Sequence, residues 1–280
     1  MSVPNNQRIL DLLKRVECEG AVALSPIELT SIESELIGNA VSINPYEPLM
    51  HYMKFEYFMQ VLTSESLRIK RLDTYEDDPL EGLYPEANNH QLSSFDSALF
   101  QQLGAVQNPQ DLIRSNRIHR RSAYVHCWYA DLLENKSMWE EYGDKGRGVC
   151  LRTTACRLES SVKRPADLLT RVCRITYLDE HAPIPTAISF LPFSRKRTKF
   201  ANEKEIRLIA EITMEALPKD ADGYLQMPEE SRRLPVDLER LLEAVVTGPN
   251  FDKSKLQELE AAVRAKISGR VVRESQLQGW

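Results

Sequence analysis

The chain has 280 residues, 36 of them basic and 41 acidic, for a net charge of −5 with histidine neutral. The whole molecule is therefore no polyanion binder, and any nucleic-acid contact needs a local basic patch. Its length suits one large domain, or a domain with a small extension, around a sizeable core.

Met1 to Gln7 is polar and lacks the apolar core of a signal peptide. No apolar run nears the roughly 20 residues that cross a bilayer. The cysteines, Cys18, Cys127, Cys150, Cys156 and Cys173, form no CxxC pair. The expectation is a cytoplasmic protein without membrane contact, with Cys127, Cys150 and Cys173 as buried reduced thiols.

In chain order, Ile9, Leu10, Leu13 and Val16 recur at helical spacing. Ser25-Pro26-Ile27-Glu28 reads as a capping box opening a second helix, with Gly38 as its stop. Both precede every motif below, so residues 1–40 are expected to be a helical extension on a domain spanning 41–280. Leu49 to Met53 reads as a strand, Phe55 to Leu62 as an amphipathic helix, and Leu67 to Leu72 as a half-buried strand with Arg68 and Lys70 on its polar side. An acidic turn, Asp73 to Gly82, follows. Residues 90–121 look helical and polar, with a break at Asn108-Pro109.

Ala123 to Tyr129 reads as a strand, Lys136 to Tyr142 as a short helix, and Gly148 to Arg152 and Arg171 to Leu178 as strands. Pro183, Pro185 and Pro192 mark a long loop. Glu205 to Ile212 and Leu241 to Thr247 read as strands, Asp252 to Ile267 as a helix, and Arg270 to Arg273 as a last strand. The pattern predicts an α+β fold, a curved, mostly antiparallel mixed sheet with helices around it.

Three segments carry chemistry. His51-Tyr52 leads by way of a helix and strand to Asp77-Asp78-Pro79-Leu80-Glu81-Gly82. Cys127-Trp128 leads to Met138-Trp139-Glu140-Glu141-Tyr142 and Gly146-Arg147-Gly148-Val149-Cys150. Asn202-Glu203-Lys204-Glu205-Ile206-Arg207-Leu208-Ile209 comes late. A strand holding Glu203 and Glu205 two residues apart sets both carboxylates on one face. Like-charge repulsion makes that costly unless a cation or a substrate hydroxyl uses them. The plainer alternative is an exposed strand edge with Lys204 and Arg207 as partners. There is no Walker loop and no Gly-x-Gly-x-x-Gly.

These motifs resemble the bacterial family known as domain of unknown function 2971. The matches are His51-Tyr52, Asp77 to Gly82, Met138 to Tyr142, Gly148 to Cys150 and Glu203 to Ile209. They keep the family's order over about residues 48–275. Asp77 stands where that family has Asn, and Ile206 where it has an aromatic.

The order of a first-strand His, a helix and second strand, a central aromatic and a late Glu-x-Glu is also similar to the ADP-ribosyltransferases. That resemblance implies NAD as substrate and an ADP-ribosyltransferase-like sheet. It implies His51 on a ribose or phosphate oxygen, with Tyr52 beside it. Glu205 falls at the ribose, where it stabilises the oxocarbenium-like transition state, and Glu203 orients or deprotonates the acceptor. Trp128, Tyr129 and Trp139 are the candidate stacking surfaces, and Arg68 and Lys70 can face a pyrophosphate. No metal is expected. The acceptor would be a protein or nucleic acid, as for a toxin or antiphage effector with an antitoxin or defence partner.

Two other classes compete. One is a nucleotide-sensing module without turnover. The other is a Mg²⁺ nuclease using Asp77, Asp78, Glu81, Glu203 and Glu205, which requires the acidic turn and the late strand to converge. The placement of His51 and Glu205 is the discriminating feature for the NAD and sensing readings. Both stand if the pair faces one cleft with an aromatic between them, and both fall if the two lie on opposite sides of the sheet.

Overall fold

The computed structural model describes residues 31–103, 109–219, 221, 226–269 and 271–277. The expected helix around Ile9 to Val16 and the capping box at Ser25 to Glu28 lie outside the described residues. The first described element is α1 (Ser31–Val41). It is followed by β1 (Pro48–Met53), α2 (Phe55–Ser64), β2 (Ser66–Arg71), α3 (Ser94–Leu103), α4 (Pro109–Arg120) and β3 (Ala123–Ala130). Next come α5 (Lys136–Glu141), β4 (Val149–Thr154), α6 (Ala155–Ser161), β5 (Leu168–Arg174), β6 (Thr176–Tyr177), β7 (Arg195–Lys196) and β8 (Glu205–Ile212). The chain continues through β9 (Ser231–Pro235), α7 (Leu238–Leu241), β10 (Ala244–Thr247), α8 (Leu256–Lys266) and β11 (Val271–Glu274). Among the described residues no helix is long and apolar enough to cross a membrane.

The fold is α+β. Nine strands form one sheet in the order β11-β10-β4-β1-β3-β2-β9, with β8 also on β3 and β5 on β8. All its pairings are antiparallel except β10 with β11, so the sheet is mixed and mostly antiparallel. β6 and β7 form a separate parallel pair.

β3 is the branch point. One of its edges is covered along its length by β8, from Ala123 opposite Glu211 to Tyr129 opposite Glu205. The other edge is shared. β2 pairs with it at Tyr124 and Val125, and β1 at Tyr129 and Ala130. Residues 126–128 have no strand beside them there. The ten-residue helix α2 separates β1 from β2. It packs Phe55, Phe58, Val61 and Leu62 into the main core, and the two strands reach β3 at different points. The result is a gap in the sheet beside Cys127.

Helices cover both faces. On one, α2 meets Leu259 and Val263 of α8 in the main core. On the other, Leu36, Ile37 and Ala40 of α1 join Phe95 and Leu99 of α3, Ile209 of β8 and the segment around Phe190. Asp96, fully buried, pins that segment. It accepts from Thr186 N–H at 2.9 Å, Thr186 Oγ1–H at 2.9 Å and Ala187 N–H at 3.1 Å.

Several expectations are revised. Of the expected helical extension over residues 1–40, the described part packs into the domain core, with Leu36 and Ile37 fully buried. Gly38 does not end its helix, which runs on to Val41. The strand expected over 171–178 is two, β5 and β6. The β9 strand was not anticipated. Its sequence, Ser-Arg-Arg-Leu-Pro, places one apolar side chain, Leu234, in the core. Cys150 and Cys173 are buried free thiols, whereas Cys127 is only partly buried and Cys156 is exposed.

Candidate functional site

A cavity of about 870 Å³ opens at the gap, lined in part by His51, Arg68, Cys127, Trp128, Tyr129, Glu203 and Glu205. Strand parity sorts its walls. Tyr129 stands opposite Glu205 on β8 and opposite Met50 on β1, so these three share a face. Val125, on that same face by alternation, stands opposite Lys70, and Arg68 stands opposite Arg233 on β9. Arg68, Lys70 and Arg233 therefore share the face of Glu205. His51 follows Met50, and His126 and Trp128 alternate with Tyr129, so all three point to the opposite face. The cavity reaches both groups only because the sheet is open between them. His51 and Glu205 line one cavity but from opposite faces of the sheet, so the expected test divides: the shared cleft is present, the shared side is not, and an NAD or nucleotide site built on the His51–Glu205 pair is ruled out.

On the Glu205 face, charge is concentrated and buried. Arg207, two residues on in β8, is 1% exposed. Its Nε donates to Glu205, its Nη2 to Glu81, and its Nη1 to the Phe193 carbonyl at 3.0 Å. Lys196 Nζ lies 2.5 Å from Glu203, 3.4 Å from Glu205 and 3.9 Å from Glu81. Nearby Arg197 holds Asp78 at 2.6 Å. The acidic turn and the late strand thus do converge, but on protein cations.

The protonation states follow from these contacts. Burial alone would raise the Glu205 carboxyl, yet Arg207 and Lys196 pull it down to about 2. Glu203 behaves oppositely, since burial raises it more than Lys196 lowers it. For Lys196, Glu205 and Glu81 outweigh burial and hold the ammonium above its usual range. Burial and the neighbouring Glu205 push the Cys127 thiol well up, which makes it a poor nucleophile.

The two glutamates do not share a strand. Glu205 opens β8, whereas Glu203 ends a 3₁₀ turn over Thr198–Glu203. Lys204 between them has φ 40°, in the left-handed region. That kink breaks the two-residue repeat, and Lys196 is what brings the carboxylates together.

His51 Nδ1 lies 2.8 Å from the Cys127 carbonyl. A carbonyl only accepts, so Nδ1 carries the proton and Nε2 is an acceptor. Burial lowers the His51 pKa to about 4, with the Cys127 carbonyl opposing. A neutral imidazole whose one N–H is engaged cannot donate to a ribose or phosphate oxygen. The donor role expected of His51 is replaced by a structural one: it satisfies a β3 carbonyl left unpaired by the gap.

The expected stacking aromatics separate. Trp139 is fully buried, donates from Nε1 to Glu134 at 2.9 Å and meets Tyr52 edge-on with centroids 4.9 Å apart. It is not among the cavity's lining residues and is core packing. The Tyr52 hydroxyl accepts from Asn135 N–H at 3.1 Å, and the Tyr129 hydroxyl donates to Asp131 at 3.1 Å. Both reach the cavity only as ring surface. Trp128 lies on the opposite face, 5.3 Å from both His51 and His126.

Three further rings line the cavity that the sequence pattern left unmarked or suggested for the core. Tyr142 is 41% exposed, with its hydroxyl 3.5 Å from Glu203. Phe200 lies under Lys196 and Lys199, each 4.6 Å from its centroid. Tyr75 lies under Lys70 at 4.7 Å. Their sequence signals were a basic run before Glu-x-Glu and an aromatic inside an acidic turn, neither distinctive alone.

No protein-family model, no curated protein and no solved structure matches the chain. The chemistry of the cavity is thus the basis for assigning a role. Its Glu205 face has a carboxylate held ionised by Arg207 and Lys196, a second carboxyl raised by burial, aromatic rings and a guanidinium pair. Among the described residues no group of three or more His, Cys, Asp and Glu side chains is arranged to hold a metal ion.

Proposed function

We propose that the chain binds NAD in this cavity, breaks its nicotinamide–ribose bond and transfers ADP-ribose to a macromolecule, a protein or nucleic acid, as a toxin or antiphage effector does. The observation that carries the reading is the convergence of Glu205, Glu203, Tyr129 and the Arg68–Arg233 pair on one face of one cavity. Departure of nicotinamide builds positive charge on the sugar, and a fixed carboxylate lowers that barrier. Glu205, ionised throughout the physiological range, has this role. Glu203 takes the acceptor's proton, its raised carboxyl lying closer to working pH.

Arg68 and Arg233 stand directly opposite each other, an arrangement that is unfavourable for like charges until an anion lies between them. Arg233 is tied to α2 through Ser64 at 3.4 Å and Gln60 at 3.2 Å, while Arg68 has no hydrogen-bond or ion-pair partner among the described residues. A pyrophosphate fits this need. The cavity volume falls in the range typical of cofactor sites, roughly 300–1,000 Å³. His51, on the other face, keeps the gap ordered, so the proposal no longer rests on the expected His51–Glu205 pair and stands on the groups of the Glu205 face alone.

One observation favours a second reading. Arg207 and Lys196 already neutralise Glu205, which suits a nucleotide sensor without turnover. The nuclease reading is weaker, because Lys196 and Arg207 occupy the positions among Glu81, Glu203 and Glu205 that Mg²⁺ would need.

The test is incubation with labelled NAD and cell extract, following nicotinamide release and label on protein and nucleic acid. Glu205→Gln is expected to abolish turnover while retaining NAD binding, with its melting curve checked alongside. NAD bound but never cleaved by the wild type would favour the sensor. No binding and no cleavage would reject both.

A further inference from the structure

The uncharged side of the cavity holds polar groups with nothing to bond. His126 is 6% exposed and Trp128 1% exposed. Among the described residues His126 Nδ1 and Trp128 Nε1 have no hydrogen-bond partner. His51 Nε2 is a further acceptor, since Nδ1 is held by the Cys127 carbonyl. The rings adjoin, with centroids 4.2 Å apart for His51 and His126 and 5.3 Å for each histidine with Trp128. Buried donors and acceptors without partners are costly and rare, so two such rings on a cavity wall, beside the free acceptor of His51, call for an occupant.

The character of that occupant follows from the wall. The nine-stranded sheet's charged residues that line the cavity, Arg68, Lys70, Glu205 and Arg233, all lie on the other face. Burial keeps both imidazoles uncharged, and the neighbouring His51 adds to the effect at His126. An ion here would lose its hydration without gaining a counter-charge. The indole N–H only donates, and a neutral imidazole nitrogen such as His51 Nε2 only accepts. The complement is an uncharged ligand edge with one acceptor and one donor.

We infer that the His51–His126–Trp128 wall binds an uncharged nitrogen heterocycle, a nucleobase or a pyridine carboxamide. Its ring passes through the gap beside Cys127 while its phosphates stay with Arg68 and Arg233. The inference rests on the cavity being a nucleotide site and does not require turnover. The two orphaned nitrogens are out of reach of solvent, so the inference requires the His126 and Trp128 rings to turn toward the cavity on binding.

Equilibrium dialysis of the full chain with labelled nicotinamide, adenosine and toluene tests this, with ADP-ribose as the charged control. At least one of nicotinamide and adenosine is expected to bind, independently of salt and well ahead of toluene. His126→Phe and Trp128→Phe are each expected to weaken that binding by about tenfold. Arg68→Gln should leave it unchanged while weakening ADP-ribose. The toluene comparison needs no variant, so it holds even if His126→Phe fails to fold.

Toluene binding as well as the heterocycles would overturn the inference, since the wall would then be merely apolar. ADP-ribose binding that depends on Arg68, with neither neutral probe bound, would overturn it and leave the nucleotide reading standing. Heterocycle binding with no cleavage of NAD would support it and reject transfer alone.

Discussion

Arg207→Met is the most exacting test of the charged cluster. The guanidinium is 1% exposed and holds Glu205, Glu81 and the Phe193 carbonyl at once. Methionine roughly keeps the volume but removes the charge. Three carboxylates, Glu81, Glu203 and Glu205, would then share the single ammonium of Lys196. Breaking a buried ion pair from one side costs about 3–5 kcal/mol, and this site has the geometry for the upper half of that range. Urea unfolding at pH 7.5, followed by far-ultraviolet circular dichroism, measures it.

The pH dependence has a definite sign. Arg207 helps hold Glu205 down at about 2, so the variant's carboxylates should protonate at higher pH in the folded state. Folded groups with raised pKa values gain stability as pH falls. The gap between wild type and variant should therefore narrow on acidification. Arg207→Lys, which keeps the charge but loses the fork, should fall between the two. A loss under about 1 kcal/mol, or a gap that widens in acid, would refute the view that burial makes this guanidinium necessary.

Three further outcomes are expected. His51, neutral in the fold down to about 4 against 6.5 in the free side chain, should cost about 3 kcal/mol as pH falls through that window. The stability is fully present above 6.5, His126 adds to the loss, and Glu203 and Asp96, whose folded carboxyls are raised, oppose it. Urea midpoints at pH 7.5 and 5.0 for wild type and His51→Gln isolate the term, and equal slopes would count against it. Removal of residues 1–40 takes Leu36 and Ile37 out of the core and should strongly destabilise the domain, and Leu36→Ala alone should cost roughly 2–5 kcal/mol. An unchanged melting temperature would return α1 to the status of an appendage. Arg68→Gln should slightly raise the stability of the free protein, by up to about 1 kcal/mol, because it removes repulsion from Arg233. It should also lower ADP-ribose affinity and flatten its salt dependence, and a fall in both stability and affinity would contradict the anion-pair reading.

The amino-acid pattern alone determined most of the elements, because period and end signals are local. β1, α2, β3 and β8 fall where alternation or helical spacing sets them, and Asn135 caps α5 by accepting from Met138 N–H at 3.3 Å. Short or charge-rich elements escaped for the same reason. β9 carries three polar residues and a proline in five, and β6 and β7 have two residues each. The residue types of the site were legible as well: Glu203, Glu205, Arg68 and the aromatic segments all drew attention by composition and spacing.

Only the tertiary structure decided which of them meet. Parity along a strand is local, but which strands adjoin, and in what register, depends on distant pairings. The register of β1 on β3 sends His51 and Trp128 to one face and Tyr129 and Glu205 to the other. The left-handed turn at Lys204 takes Glu203 off the strand, and Lys196 draws it back to Glu205. The gap that joins the two faces exists because β1 and β2 reach the same edge of β3 at separate points, a property of three strands together that none of their sequences contains.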